Sequence, residues 1–136
     1  MKIAVDFDGT IVKYAYPKIG KEIPFAIETL KLLQREHYQL ILWTVREGVL
    51  LNEAVAYCEQ RGLYFYAINS SFPKEDVTSC SFSRKIKVDL FIDDTNLGGL
   101  LDWGLIYKII HNKLSLEDML ADNYHKMKRK RFKWFW

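Results

Sequence analysis

Apolar residues fall along this chain in two alternating rhythms, short unbroken runs and longer stretches at helical spacing. The run Ile3, Ala4, Val5 stops abruptly at Asp6, Phe7, Asp8, Gly9 and Thr10, as a buried strand does on entering a turn. Residues Ile11 to Glu22 hold Pro17, Gly20 and several aromatics without a period, and read as a loop or small flap. Pro24 suits a first helical turn. Ala26, Leu30 and Leu33, widened by Ile27 and Leu32, then line one face of a helix expected to reach about Glu36. Gln39 to Trp43 reads as a second buried strand closed by Thr44. Between Glu47 and Arg61, Leu51, Ala54, Val55 and Cys58 recur at helical spacing, and Gly62 is placed to stop that helix. Tyr64 to Ile68 is a third strand, 69–83 a long Ser-rich loop, and Val88, Leu90, Phe91 and Ile92 a fourth strand ending at Asp93 and Asp94. After a Gly-containing loop at 95–104, Leu105 to Ile110 fits either a strand or a helix. Ser115 with Asp118 three residues on fits a helix start, with Leu116, Met119, Leu120 and Tyr124 on its apolar face.

This β-α-β-α-β order predicts an α/β fold, a parallel sheet with right-handed crossovers and helices on its faces. Parallel strands put all their carboxyl ends along one edge, where such sheets bind ligands. At 136 residues and 49% apolar content, a single domain spanning 1–136 is expected. No stretch approaches the roughly 18 apolar residues of a membrane span, and the start reads as a strand broken by Asp6 and Asp8, so a cytoplasmic protein is expected. Cys58 and Cys80 make no disulfide framework and are expected as reduced thiols. The sequence Asn69, Ser70, Ser71 matches a glycosylation acceptor and reads as a turn. The net charge of +3 hides an asymmetry: Lys126, Lys128, Arg129, Lys130, Arg131 and Lys133 carry six positive charges, and subtracting them leaves −3 for the rest. The body is mildly acidic, and only a tail at about 125–136 is basic, with Phe132, Trp134, Phe135 and Trp136 interleaved.

On an extended backbone Asp6 and Asp8 would point the same way, and two carboxylates that close call for a cation between them. A hard divalent ion such as Mg²⁺ suits oxygen ligands. Gly9 allows a positive φ and close approach of a ligand, and Thr10 adds a hydroxyl at the mouth. The chemistry this permits is a two-step displacement. Asp6 attacks phosphorus, and Asp8 protonates the leaving oxygen and later activates water. Short acidic turns also occur in metal-free loops, so the weight falls on the other strand ends: Thr44, Asp93 and Asp94, with Lys85 nearby as a phosphate-holding cation. Arg46 either faces the same mouth, its planar fork on a phosphate, or is an exposed residue at a helix start. Lys13, Tyr14 and Tyr16 read chiefly as flap packing. His37, His111 and His125 lack ligand spacing. Trp43 is expected in the sheet edge and Trp103 in the loop after the acidic pair.

Taken in order, DFDGT at 6–10, the strand ending in Thr44, Lys85, and FIDD at 91–94 resemble the four motifs of the haloacid dehalogenase superfamily of phosphohydrolases. The resemblance implies a three-layer α/β/α Rossmann-like fold, and the short gaps between motifs imply a small capless member without a cap domain. It implies Asp6 as nucleophile and metal ligand, and Asp8 as acid/base with its backbone carbonyl on the metal. Thr44 would then bond a phosphoryl oxygen and Lys85 pair with the phosphate, with Asp93 and Asp94 completing a Mg²⁺ site. Lys85 stands only eight residues before Asp93, so Lys87 is an alternative; KIKVDLFIDD resembles the KPxADxYIDD form of small capless members and favours Lys85. Where a glycine is common before the last acidic motif, this chain has Ile92. A small phosphorylated substrate such as a sugar phosphate is expected, and a homo-oligomer that covers the open site. Rival readings are a nucleotide or polynucleotide-end phosphatase using the basic tail, and a metal- or phosphate-binding module without turnover.

Overall fold

A computed structural model describes residues 1–115, 117–122 and 125–126. The chain divides into two compact units, Met1–Leu101 and a second beginning at Asp102. The first unit holds a four-stranded, all-parallel sheet of β1 (Lys2–Val5), β2 (Gln39–Leu42), β3 (Ala67–Ile68) and β4 (Leu90–Ile92), with helices α1 (Ala26–Arg35) and α2 (Gly48–Glu59) between its first three strands. It is an α/β fold. The spatial order β3-β2-β1-β4 means that the chain steps outward from β1 through β2 to β3 and then returns past both to the other side of β1.

Right-handed crossovers place α1 and α2 on one face of that sheet and the β3–β4 connection on the other. The side chains agree. In register, Ala4, Ile41 and Ala67 stand side by side, and Ile86 from the returning segment packs on them, with Trp43, Tyr66, Val88 and Phe91 around the rim. Ile3, Val5, Leu40 and Leu42 alternate to the opposite face and are as fully buried as Leu30 and Leu33 of α1. The returning segment has no regular structure over most of its length, and buried Ser71 pins it. Its amide donates to Glu75 Oε1 (2.8 Å), its hydroxyl accepts from Lys87 N (3.0 Å), and its carbonyl accepts from Lys2 Nζ (2.8 Å).

Element ends differ from expectation for local reasons. α1 begins after Pro24 because Phe25 sits at φ 67°, and Glu22 reaches across to the Ile27 amide at 3.4 Å. β3 shrinks because the Tyr64 amide is taken by Gln34 Oε1 (3.1 Å), so ladder bonds start only at Tyr66 N to Leu40 O. α2 stops where expected. Gly62 at φ 81° follows it, with Gly62 N on Glu59 O and Leu63 N on Cys58 O. β2 lies inside the sheet, so Trp43, which follows it, packs beside the core instead of in a sheet edge.

In the second unit, residues 105–110 are helical, within α3 (Trp103–His111). Asp102 caps it, its Oδ1 accepting from Gly104 N (2.9 Å) and Leu105 N (3.2 Å). Trp103, expected in a loop, is thus its first residue and is buried with Ile106 and Ile110. The Ser115–Asp118 capping box forms, Asp118 Oδ2 accepting from Ser115 N (2.9 Å) and Asp118 N donating to Ser115 Oγ (3.1 Å). Leu116, Tyr124 and most of the basic aromatic tail (127–136) lie outside the described residues. No helix among the described residues is long and apolar enough to cross a membrane.

Candidate active site

The switch point of this sheet lies between β1 and β4, where the chain departs to opposite sides. Val5 is level with Leu42 and with Ile92, so Asp6, Asp93 and Asp94 follow directly on adjacent strand ends, and Asp6 N still donates to Ile92 O at 3.0 Å. One carboxylate oxygen from each of Asp6, Asp93 and Asp94 lies within 4.8 Å of the others. Buried Thr10 ties two of them together. Its hydroxyl proton is shared between Asp6 Oδ2 (3.0 Å) and Asp94 Oδ1 (3.3 Å), and its oxygen accepts from Asp94 N (3.1 Å). Asp93 also caps its own turn, Oδ1 accepting from Thr95 N (2.9 Å) and Thr95 Oγ1 (2.8 Å). Gly9 closes the corner: at φ 86°, a Cβ there would strike the Asp94 carboxylate.

This corner is acidic and uncompensated. Among the described residues no lysine or arginine forms an ion pair with the three carboxylates. Burial, then the neighbouring Asp93 charge, push Asp6 up to about 7, against the pull of the Thr10 hydrogen bond. The donor set is all oxygen, converges from two strand ends and has no counter-charge among the described residues, which fits a hard divalent cation such as Mg²⁺.

Asp8 is not one of the clustered carboxylates. The expectation that the Asp6 and Asp8 carboxylates close on a cation between them is corrected, because the backbone leaves the extended form at once. Phe7 O accepts from Thr10 N, Ile11 N and Val12 N at 3.0–3.2 Å, so the two-residue alternation no longer applies. The Asp8 side chain instead meets Arg46, Nε to Oδ2 and Nη2 to Oδ1, both at 2.7 Å. Arg46 itself is neither exposed nor at the mouth: its side chain is 0% exposed. The Asp8 hydrogen bonds raise its guanidinium above its ordinary value.

Thr44 follows β2, with its amide on Asn69 Oδ1 (2.8 Å) and its hydroxyl oxygen accepting from Arg46 N (3.1 Å), which leaves the hydroxyl proton to donate. Asn69 directly follows β3, and its side chain joins that strand end to the end of β2. Lys85 is exposed, its Nζ 5.9 Å from the Phe91 ring centroid, and forms no ion pair with Asp6, Asp93 or Asp94 among the described residues. Lys87 is exposed as well. Sequence reasoning missed the burial of Arg46. The available signal was its place directly after a buried strand and beside a turn that carries an aspartate.

No protein-family model matches this chain, and no curated protein matches it. A solved structure of a conserved protein coded by a locus of Bacteroides thetaiotaomicron is similar, with 60% identity and a TM-score of 0.82 over 88% of this chain and 96% of that one.

Proposed function

The chain belongs to the same family as that conserved Bacteroides thetaiotaomicron protein, and we propose that it is a capless, three-layer phosphohydrolase of the haloacid dehalogenase type. The observation that carries this reading is the convergence of Asp6, Asp93 and Asp94 at the switch point with no basic partner among the described residues. Those three residues would hold Mg²⁺, which supplies charge neutralisation and polarises a phosphoryl oxygen when bound. Asp6 Oδ attacks phosphorus, forming an Asp6–phosphate bond as the ester P–O bond breaks. Asp8 delivers the proton that the leaving oxygen takes up, then receives one from the water that hydrolyses the aspartyl-phosphate. The Asp8 carboxyl group offers roughly four lone-pair sites; two face Arg46, and one of the two left would carry the proton that Asp8 delivers and later regains from water. The Thr44 hydroxyl donates to a phosphoryl oxygen, and Lys85 pairs with the phosphate as substrate arrives.

One observation favours a second reading, a metal-binding module without turnover: both Asp8 oxygens already accept from Arg46. Phosphate release from sugar phosphates, nucleotides and 5′- or 3′-phosphorylated oligonucleotides, with and without Mg²⁺, separates the two. Mg²⁺-dependent turnover on any class supports the hydrolase. Mg²⁺ binding without turnover across the panel supports the module.

A further inference from the structure

A guanidinium carries five N–H groups, and in Arg46 every one is used. Two hold Asp8. Of the remaining bonds, Nη2 also donates to Lys18 O (3.0 Å), while Nη1 donates to Pro17 O (3.2 Å) and Leu50 O (3.5 Å). The rings of Phe7 and Tyr16 stand 5.2 and 5.3 Å from its central carbon. A buried ion pair brings little net stability over apolar residues of the same volume, so stability alone does not account for a guanidinium here. Geometry does. The group joins the turn after β1, the end of β2, the first turn of α2 and the flap at 13–21.

The base of that flap is held by Lys13 N to Lys21 O (2.7 Å) and Ile23 N to Ile11 O (2.9 Å). Its tip is different: among the described residues, the hydrogen bonds tying residues 14–19 to the rest of the unit run to Arg46, through the Pro17 and Lys18 carbonyls. One atom, Nη2, bridges Asp8 Oδ1 and Lys18 O. We propose that Arg46 is a positioning residue that makes closure of the 13–21 flap and the aim of the Asp8 carboxylate a single event. Disturbing the carboxylate therefore frees the flap through the shared guanidinium, and disturbing the guanidinium frees both. The kinetic half of this proposal rests on the phosphohydrolase reading; the structural half does not.

The test uses the full chain as wild type, Asp8→Asn, Arg46→Lys, Arg46→Ala and the Asp8→Asn/Arg46→Lys double variant. Hydrogen exchange is followed over 13–21, with β1 as internal reference. Asp8→Asn and Arg46→Lys should both exchange faster in the flap by roughly tenfold, with β1 unchanged. On an aryl phosphate with Mg²⁺, Arg46→Lys should lose roughly 10²-fold in kcat with KM almost unmoved. Added methylguanidinium should restore part of the kcat of Arg46→Ala, and the double variant should be no slower than Asp8→Asn alone. Flap exchange in Asp8→Asn equal to wild type overturns the coupling, and so does a loss in Arg46→Lys that falls on KM alone. A wild-type chain that releases no phosphate from any substrate sinks the hydrolase reading, and flap exchange then still decides the coupling. Should Arg46→Lys fail to fold, the isosteric Asp8→Asn carries the exchange test by itself.

Discussion

Asp6 and Asp8 leave one turn two residues apart, yet Asp8 has a guanidinium across both its oxygens, while Asp6 has two other carboxylates and a hydroxyl beside it. The difference lies in what folds over each. Asp8 is held by Arg46, which also holds the flap, and its charge is matched inside the protein. The Asp6 corner lies at the switch point between β1 and β4, and no ion pair among the described residues matches its charge. A buried pair that is complete resists change, and an acidic corner that is incomplete invites a ligand.

The comparison can be broken most forcefully at the paired end. Arg46→Ala leaves Asp8 buried without its counter-charge and should cost about 4 kcal/mol in urea unfolding. The pair Arg46→Met with Asp8→Leu should recover most of that loss, because an apolar pair replaces an ionic one of similar volume. At the open end, saturating Mg²⁺ should stabilise the wild type by about 2.7 kcal/mol at a hundred times its Kd, and Asp94→Asn should remove most of that gain. Gly9→Ala, which combines φ 86° with a collision against Asp94, should cost about 2 kcal/mol in the same assay and weaken Mg²⁺ binding.

The pH dependence sharpens the contrast with a smaller effect. In metal-free protein Asp6 is raised from 3.8 to about 7, so between these values the folded state holds the proton more tightly than the unfolded chain. That contribution to stability is complete below pH 3.8 and is lost as pH rises through about 7. Unfolding midpoints measured across this window should fall less steeply with rising pH in Asp6→Asn than in wild type. Asp93→Asn should lower the Asp6 value, since Asp93 is the second cause of its shift after burial, and a carboxyl NMR titration reads this directly.

The strand-turn at 2–10 and the β-α-β order were legible because an unbroken apolar run ending in Asp, Asp and Gly has few other foldings. So was the acidic pair at 93–94, since parallel pairing alone sends it to the edge that carries Asp6. Arg46 was not legible. Its neighbours Val45 and Glu47 are exposed, so the local pattern reads as surface, and its burial is imposed by a flap 28 and 29 residues earlier in the chain. Residues 105–110 were ambiguous because a short apolar stretch broken only by Lys108 fits either period. The deciding group was Asp102, a side chain that caps the two amides beyond it. Lys85 could be assigned by order along the chain, but its reach toward the acidic corner depends on an irregular segment that no periodicity describes.

The central claim is that Asp6, in a corner whose charge a divalent cation completes, carries phosphoryl transfer. The most direct test is the rate of phosphate release from an aryl phosphate by wild type and by Asp6→Asn, each with Mg²⁺ and with EDTA. The account predicts turnover only for wild type with Mg²⁺, and a fall of roughly 10⁴-fold or more in Asp6→Asn. Equal rates in the two proteins, or a wild-type rate indifferent to EDTA, would contradict it.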